Sequence, residues 1–198
     1  MAMRDATSPA TISFPRVDTS IRPADSWTDR SLYERCISRG VPGSISAVLY
    51  GNGVRFVQSP SEIVMTYEMI HDSRVIYTDG RPMPPAEDMW PTVWGTSIGH
   101  WEGDTLVVET VQVQMPYEYF HGAPSLSEEA VYRERIRMDG ERLVLDFTIE
   151  DPVTLSEPWE VTIVQVREEA FDRMIQMDFS NDRTGVENGI NTIEPPAE

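Results

Sequence analysis

The residues in this sequence best placed to do chemistry are polar side chains that share a strand face with apolar ones. Burying such a group costs free energy unless it finds a partner. Tyr67 and His71 continue a row of Ile63, Met65 and Met69 at a spacing of two. Glu134 shares a row with Tyr132, Ile136 and Met138, and Arg173 sits among Phe171, Ile175 and Met177. A period of two is the signature of a strand with one face in a core. If these faces all look inward, one interior holds an imidazole, a carboxylate, a phenol and a guanidinium. A carboxylate beside an imidazole suffices for general acid/base work, with each pKa set by burial and by the other group. His71 is then the base, Glu134 its orienting partner or the acid, and Tyr67 with Arg173 the stabilisers of developing negative charge. The same faces admit a structural reading, in which Glu134 and Arg173 form a bracing ion pair and His71 caps a turn.

A metal centre is the other chemistry to weigh. His71, His100 and His121 lie on three separate segments, with Asp72, Glu102, Asp104 and Glu118 near them. Three imidazoles and a carboxylate make a workable ligand set. No two of the histidines have a local ligand spacing such as HxH or HExxH, so this is the weaker alternative. The sequence has no GxSxG elbow, no Gly-rich phosphate loop and no dinucleotide fingerprint. No organic cofactor is therefore expected.

The elements that must position these groups read as strands. Residues 62–81 (EIVMTYEMIHDSRVIYTDGR) form the centre: a long strand, a short connection at 71–73, a second strand, and a reversal at Asp79-Gly80. Asp72, Arg74 and Asp79 supply charges for salt bridges there. Before the centre, residues 26–38 predict a short helix that Gly40 and Pro42 stop. Turns at Pro42-Gly43 and Asn52-Gly53 precede a strand at 54–58. After it, residues 82–99 form a long loop carrying Trp90 and Trp94; a loop of that length in a compact domain is usually functional. Further strands are expected at 105–113, 131–138, 143–150, 159–166 and 171–179, with a hairpin turn at Asp139-Gly140. Residues 1–25 read as an arm and 181–198 as a loose tail, leaving one domain over 26–180.

The chain of 198 residues carries 33 acidic and 16 basic side chains, a net charge of −17. That field repels phosphate backbones and anionic lipid surfaces, so neither nucleic acid nor membrane is an expected partner. No apolar run approaches the length of a membrane span, and the opening residues lack the apolar core of a signal peptide. Cys36 is alone, so no intrachain disulfide forms, and cytoplasm and periplasm both remain open. The strand at 105–113 is apolar on both faces despite Glu109, which leaves room for a homo-oligomer.

Several stretches together resemble a large, poorly characterised family of bacterial proteins: YERCISRGVPG, FVQSP, TYEMIHDSRVIYTDGRP, SIGHWEGDTLVVET, the Glu134-Arg135 pair and EDPVTLSEPW. The resemblance covers roughly residues 33–159. Many members look exported, with a signal peptide ahead of the domain, and the family implies no established activity. Tyr67, Glu68, His71, Arg74, Asp79, Arg81, Trp101, Glu102, Asp104, Glu134 and Arg135 fall on its pattern. Asp79 and Asp104 are natural turn formers, with Arg81 and Glu102 as candidate ion-pair partners. The chain departs from the pattern at Met83, where members usually have His, and lacks a longer arm with an aspartate-leucine-serine-glycine stretch before Tyr33.

Short strands, frequent turns and little helix predict an all-β fold. Sequential hairpins favour an antiparallel meander closing into a lipocalin-like barrel or half-barrel with the Trp-bearing loop over one end, and a β-sandwich is the alternative. Such a barrel holds one small, mostly apolar ligand. The expected lining is Trp94, Trp101, Tyr132, Met65, Met69 and Phe147, drawn from a chain with ten Met, five Trp, seven Tyr and six Phe. The leading expectation is a cofactor-independent lyase or isomerase acting on a small hydrophobic or aromatic molecule. A non-catalytic binding protein and a metal-dependent hydrolase are the alternatives.

Overall fold

Alternating burial along short segments becomes a sheet when each segment can pair with the next. The computed structural model describes residues 37–45, 53–114 and 126–167. Eight strands there form one sheet in chain order: β1 (Val54–Gln58), β2 (Glu62–Tyr67), β3 (Ser73–Tyr77), β4 (Thr96–Glu102), β5 (Thr105–Val111), β6 (Val131–Asp139), β7 (Arg142–Glu150) and β8 (Trp159–Val166). The sheet curls into a half-barrel. Residues 26–36 of the helix expected at 26–38 and the strand at 171–179 lie outside the described residues, as do the arm at 1–25 and the tail at 181–198. Ile37 and Ser38 are not helical. A six-residue helix, α1 (Gly40–Ile45), stands instead where a turn at Pro42-Gly43 is expected.

Every neighbouring pair is antiparallel except β3 and β4, which run parallel through Ile76↔Ser97 and Tyr77↔Ile98. Parallel neighbours need a crossover of a dozen or more residues. The Pro- and Trp-bearing segment supplies it, with one 3-10 turn at Ala86–Asp88. Its length thus has a topological cause. Gly80 takes the expected left-handed backbone, at φ 80°, but Asp79-Gly80 leads into this crossover and not into a hairpin. The crossover ends at residue 95, so Thr96 to Gly99 belong to β4 and not to the loop. Two tight hairpins follow. Gly103 (φ 59°) and Gly140 (φ 60°) each occupy the first central position of a two-residue turn, between Glu102↔Thr105 and between Asp139↔Arg142. A positive φ there matches the twist of the flanking strands, and glycine reaches it without a Cβ clash.

The concave face is apolar in two clusters. One gathers Val41 of α1 with Val113, Ala130, Tyr132, Phe147 and Ile149. The other gathers Ile63, Met65, Tyr67, Ile76, Leu106, Val108 and Ile136. Trp94 and Leu145 pack against both. The convex face carries charge in ladders. Arg133 bridges Glu109 at 3.3 Å and Glu150 at 2.5 Å, Arg135 meets Glu102 at 2.9 Å, and Arg137 meets Asp146. Exposed pairs of this kind contribute about 0–1 kcal/mol each and mainly keep that face wet. Met138, expected on the inner row, is 60 % exposed because β6 runs past the core at that end.

Asp151, just after β7, is buried and ties two loops together. Its carboxylate accepts from the Ser127 amide and hydroxyl, both at 2.7 Å, and from the amides of Val153 and Thr154. Burial pushes its pKa up, but these hydrogen bonds outweigh burial and hold it at about 2. A depressed carboxylate stabilises the fold above its unfolded pKa and loses that contribution as pH falls. Asp151 therefore contributes about 2 kcal/mol that is complete above about pH 4 and fades toward pH 2. Urea denaturation of the protein and of Asp151→Asn across that range should give a stability difference that shrinks as pH falls. Parallel acid profiles would contradict it.

Candidate functional site

Residues directly opposed in an antiparallel pair share a face, so Met65 and its register partner Arg74 both point to the concave side. Arg74 is 2 % exposed and Glu134 is fully buried. The Arg74 Nη2 donates to Glu134 Oε2 at 2.5 Å and to Thr110 Oγ1 at 2.6 Å, and its Nε donates to Ser97 Oγ at 3.0 Å. The Ser97 and Thr110 hydroxyls lie 2.9 Å apart. One residue from each of β3, β4, β5 and β6 thus meets at a polar centre. Along β6, Glu134 falls between Tyr132 of one apolar cluster and Ile136 of the other.

Glu134 Oε1 has no hydrogen-bond partner among the described residues, and Arg74 Nη1 makes no well-aligned hydrogen bond, although the Tyr67 hydroxyl lies within hydrogen-bonding reach of the guanidinium. Burial alone would lower the Arg74 pKa, but the adjacent Glu134 carboxylate outweighs it and raises it. The guanidinium is therefore a fixed positive donor. Tyr67, also buried, lies beside Arg74 and Ser44; burial raises its pKa against the lowering effect of Arg74, so the phenol stays protonated. Its hydroxyl donates to the Met65 sulfur at 3.8 Å, a weak acceptor. Trp94 stacks on the Tyr67 ring at 5.2 Å between centroids and 15° between planes. Asp72 holds the other side of this arrangement. Burial raises its pKa, opposed by hydrogen bonds from Ser38 and Trp94.

His71 is not in this centre. The alternation expected through residue 71 breaks at the β2–β3 turn, where Ile70 (φ 62°) and His71 (φ 56°) are both left-handed. That reversal leaves the His71 side chain exposed. Among the described residues, the group that meets Glu134 is the Arg74 guanidinium, not an imidazole. Arg173, expected as a charge stabiliser or as the bracing partner of Glu134, lies outside the described residues. Asp79 pairs with Arg81 at 2.6 Å and not with Arg74.

The other expected residues divide in the same way. Met65, Met69, Tyr132 and Phe147 are buried, and Tyr132 and Phe147 pack with ring centroids 6.2 Å apart. Trp101 continues the row of Ser97 and Gly99 to the end of β4, where it is 46 % exposed and shapes no enclosed wall. His100 is exposed beside Glu102, at 3.4 Å, and His121 lies outside the described residues. Among the described residues, no three His, Cys, Asp or Glu side chains gather closely enough to hold a metal ion. Arg74 was legible as an inward group, since it stands two residues before Ile76 in a strand of alternating burial.

No protein-family model, curated protein or solved structure matches the chain. The placement of Trp94 depends on the residue that follows it. Gly95 has φ 59°, and a Cβ there would sit 2.3 Å from the Val111 carbonyl oxygen and 2.7 Å from Val113 Cγ2. The Val111 oxygen belongs to β5 and cannot yield without distorting the sheet. Gly95→Ala should cost at least about 2 kcal/mol in urea denaturation and weaken the near-ultraviolet circular dichroism of the Tyr67–Trp94 stack. An unchanged midpoint with an unchanged spectrum would show that the crossover seats Trp94 in some other way.

Proposed function

We propose that this protein binds a small, largely apolar molecule on the concave side of its half-barrel, with Arg74 and Glu134 as the polar anchor. The observation that carries this reading is the unpartnered Glu134 Oε1 in a centre closed to bulk solvent, with the Arg74 guanidinium and the Tyr67 hydroxyl beside it. An unsatisfied buried group costs about 1–3 kcal/mol, more when charged, and calls for an occupant. The surroundings suit an apolar body. Met65 supplies an adaptable wall and the Tyr67–Trp94 stack a flat one. Binding pockets commonly combine such walls with a few convergent polar groups.

An acid/base lyase or isomerase is the second reading, and the free Glu134 Oε1 favours it. With His71 in solvent, Glu134 itself would take the proton and protonated Tyr67 would act as donor. A titration with the neutral apolar fluorophore N-phenyl-1-naphthylamine separates these ideas from a site with no ligand. Saturable enhancement with quenching of Trp fluorescence, the probe recovered unaltered by mass spectrometry, is expected for binding. Turnover of a small-molecule panel, abolished in Glu134→Gln while circular dichroism is unchanged, would move the case to the enzyme. Neither saturation nor turnover would contradict both readings.

A further inference from the structure

The helix α1 is made of residues that do not favour a helix. Its sequence, GVPGSI, sets two glycines, a proline and two β-branched side chains in six residues. Each is a poor helix former, and a helix this short does not persist in water on its own. No acidic side chain stands in its first turn and no basic one in its last to support it. What holds it is the half-barrel. Gly40, Val41, Pro42 and Gly43 are buried without a break, and Val41 lies fully buried in the cluster of Tyr132 and Phe147. Two hydrogen bonds tether its ends. Ser38, just before it, bonds the Asp72 carboxylate, and Ser44 bonds the Tyr67 hydroxyl.

These contacts fall on both flanks of the polar centre. Tyr67 belongs to β2, Tyr132 to β6, and the strands between them carry Arg74, Ser97 and Thr110. We propose that α1 is a displaceable plug, seated on the concave side beside the Arg74–Glu134 centre and driven out by the ligand. The inference rests on the binding reading above and adds how the site opens. A segment with no helical stability of its own loses only its contacts on leaving. An apolar ligand restores the burial that Val41 gives up, against the same aromatic side chains. While α1 is seated the site is closed, so the apparent affinity falls with the fraction of molecules that are open.

Titration with N-phenyl-1-naphthylamine tests this in the wild type, in Val41→Ala and in the double variant Ser38→Ala/Ser44→Ala, each checked for folding by circular dichroism. Both variants loosen α1 and should bind the probe at least about fivefold more tightly. The serine pair removes tethers and leaves Val41 in place, so tighter binding there does not come from a new cavity; it also decides the matter if Val41→Ala does not fold. Hydrogen exchange in the wild type, followed by mass spectrometry, should speed up over residues 40–45 at probe saturation while it slows over β3 to β6. Unchanged affinity in the serine variant, or unchanged or slowed exchange over 40–45 at saturation, overturns the plug and leaves the binding reading in place. No saturable binding in the wild type or either variant overturns both.

Discussion

A guanidinium and a carboxylate buried together tie four strands of this sheet to one another across its inner face. β3 and β6 are three places apart in the strand order, which in a flat sheet is about 14 Å. Arg74 and Glu134 nevertheless touch, at 2.5 Å. In a flat sheet the two side chains would have to lie fully extended along the surface to meet, whereas the curl brings their strands' inner faces together. The pair is therefore a geometric constraint as well as an electrostatic one. Ser97 and Thr110, on the two strands between, complete it by holding the guanidinium from below.

That constraint has consequences for the packing around it. The polar centre separates the concave lining into two apolar clusters, and Trp94 and Leu145 join them. Trp94 reaches this position because the parallel β3–β4 step forces a long crossover, and the crossover ends at a glycine pressed against β5. The loop is thus tied to the site by topology. On the convex side the surface ladders of Arg133, Arg135 and Arg137 face solvent and carry little stability, though they offset part of the chain's large negative charge.

Much of this was legible in residue types. β1 and β8 lie where turn signals and apolar content put them, at 54–58 and 159–166. β6 announces its two faces by setting three arginines against Tyr132, Glu134 and Ile136, and Glu134 stands out as a buried acid on that basis. His71 misleads because Met69 and Ile70 extend the apolar run into the turn and no glycine, asparagine or proline marks the reversal. A left-handed β-branched residue such as Ile70 is rare enough that sequence alone argues against it. The parallel β3–β4 pair is illegible for a different reason. Pairing direction is set by where the chain returns after eighteen residues of crossover, at 78–95, and no local pattern encodes it. Arg74 lay within reach, but its charge and neighbouring acids suggest a surface salt bridge before they suggest an interior.

The central claim is that Arg74 and Glu134 stabilise the fold only as a pair. A double-mutant cycle with Arg74→Met and Glu134→Leu, measured by urea denaturation, tests it most directly. Each single change should cost about 3–5 kcal/mol by stranding a buried charge, and the double variant should cost far less than the two together. Losses below about 1 kcal/mol for each variant, or losses that simply add, would contradict the account.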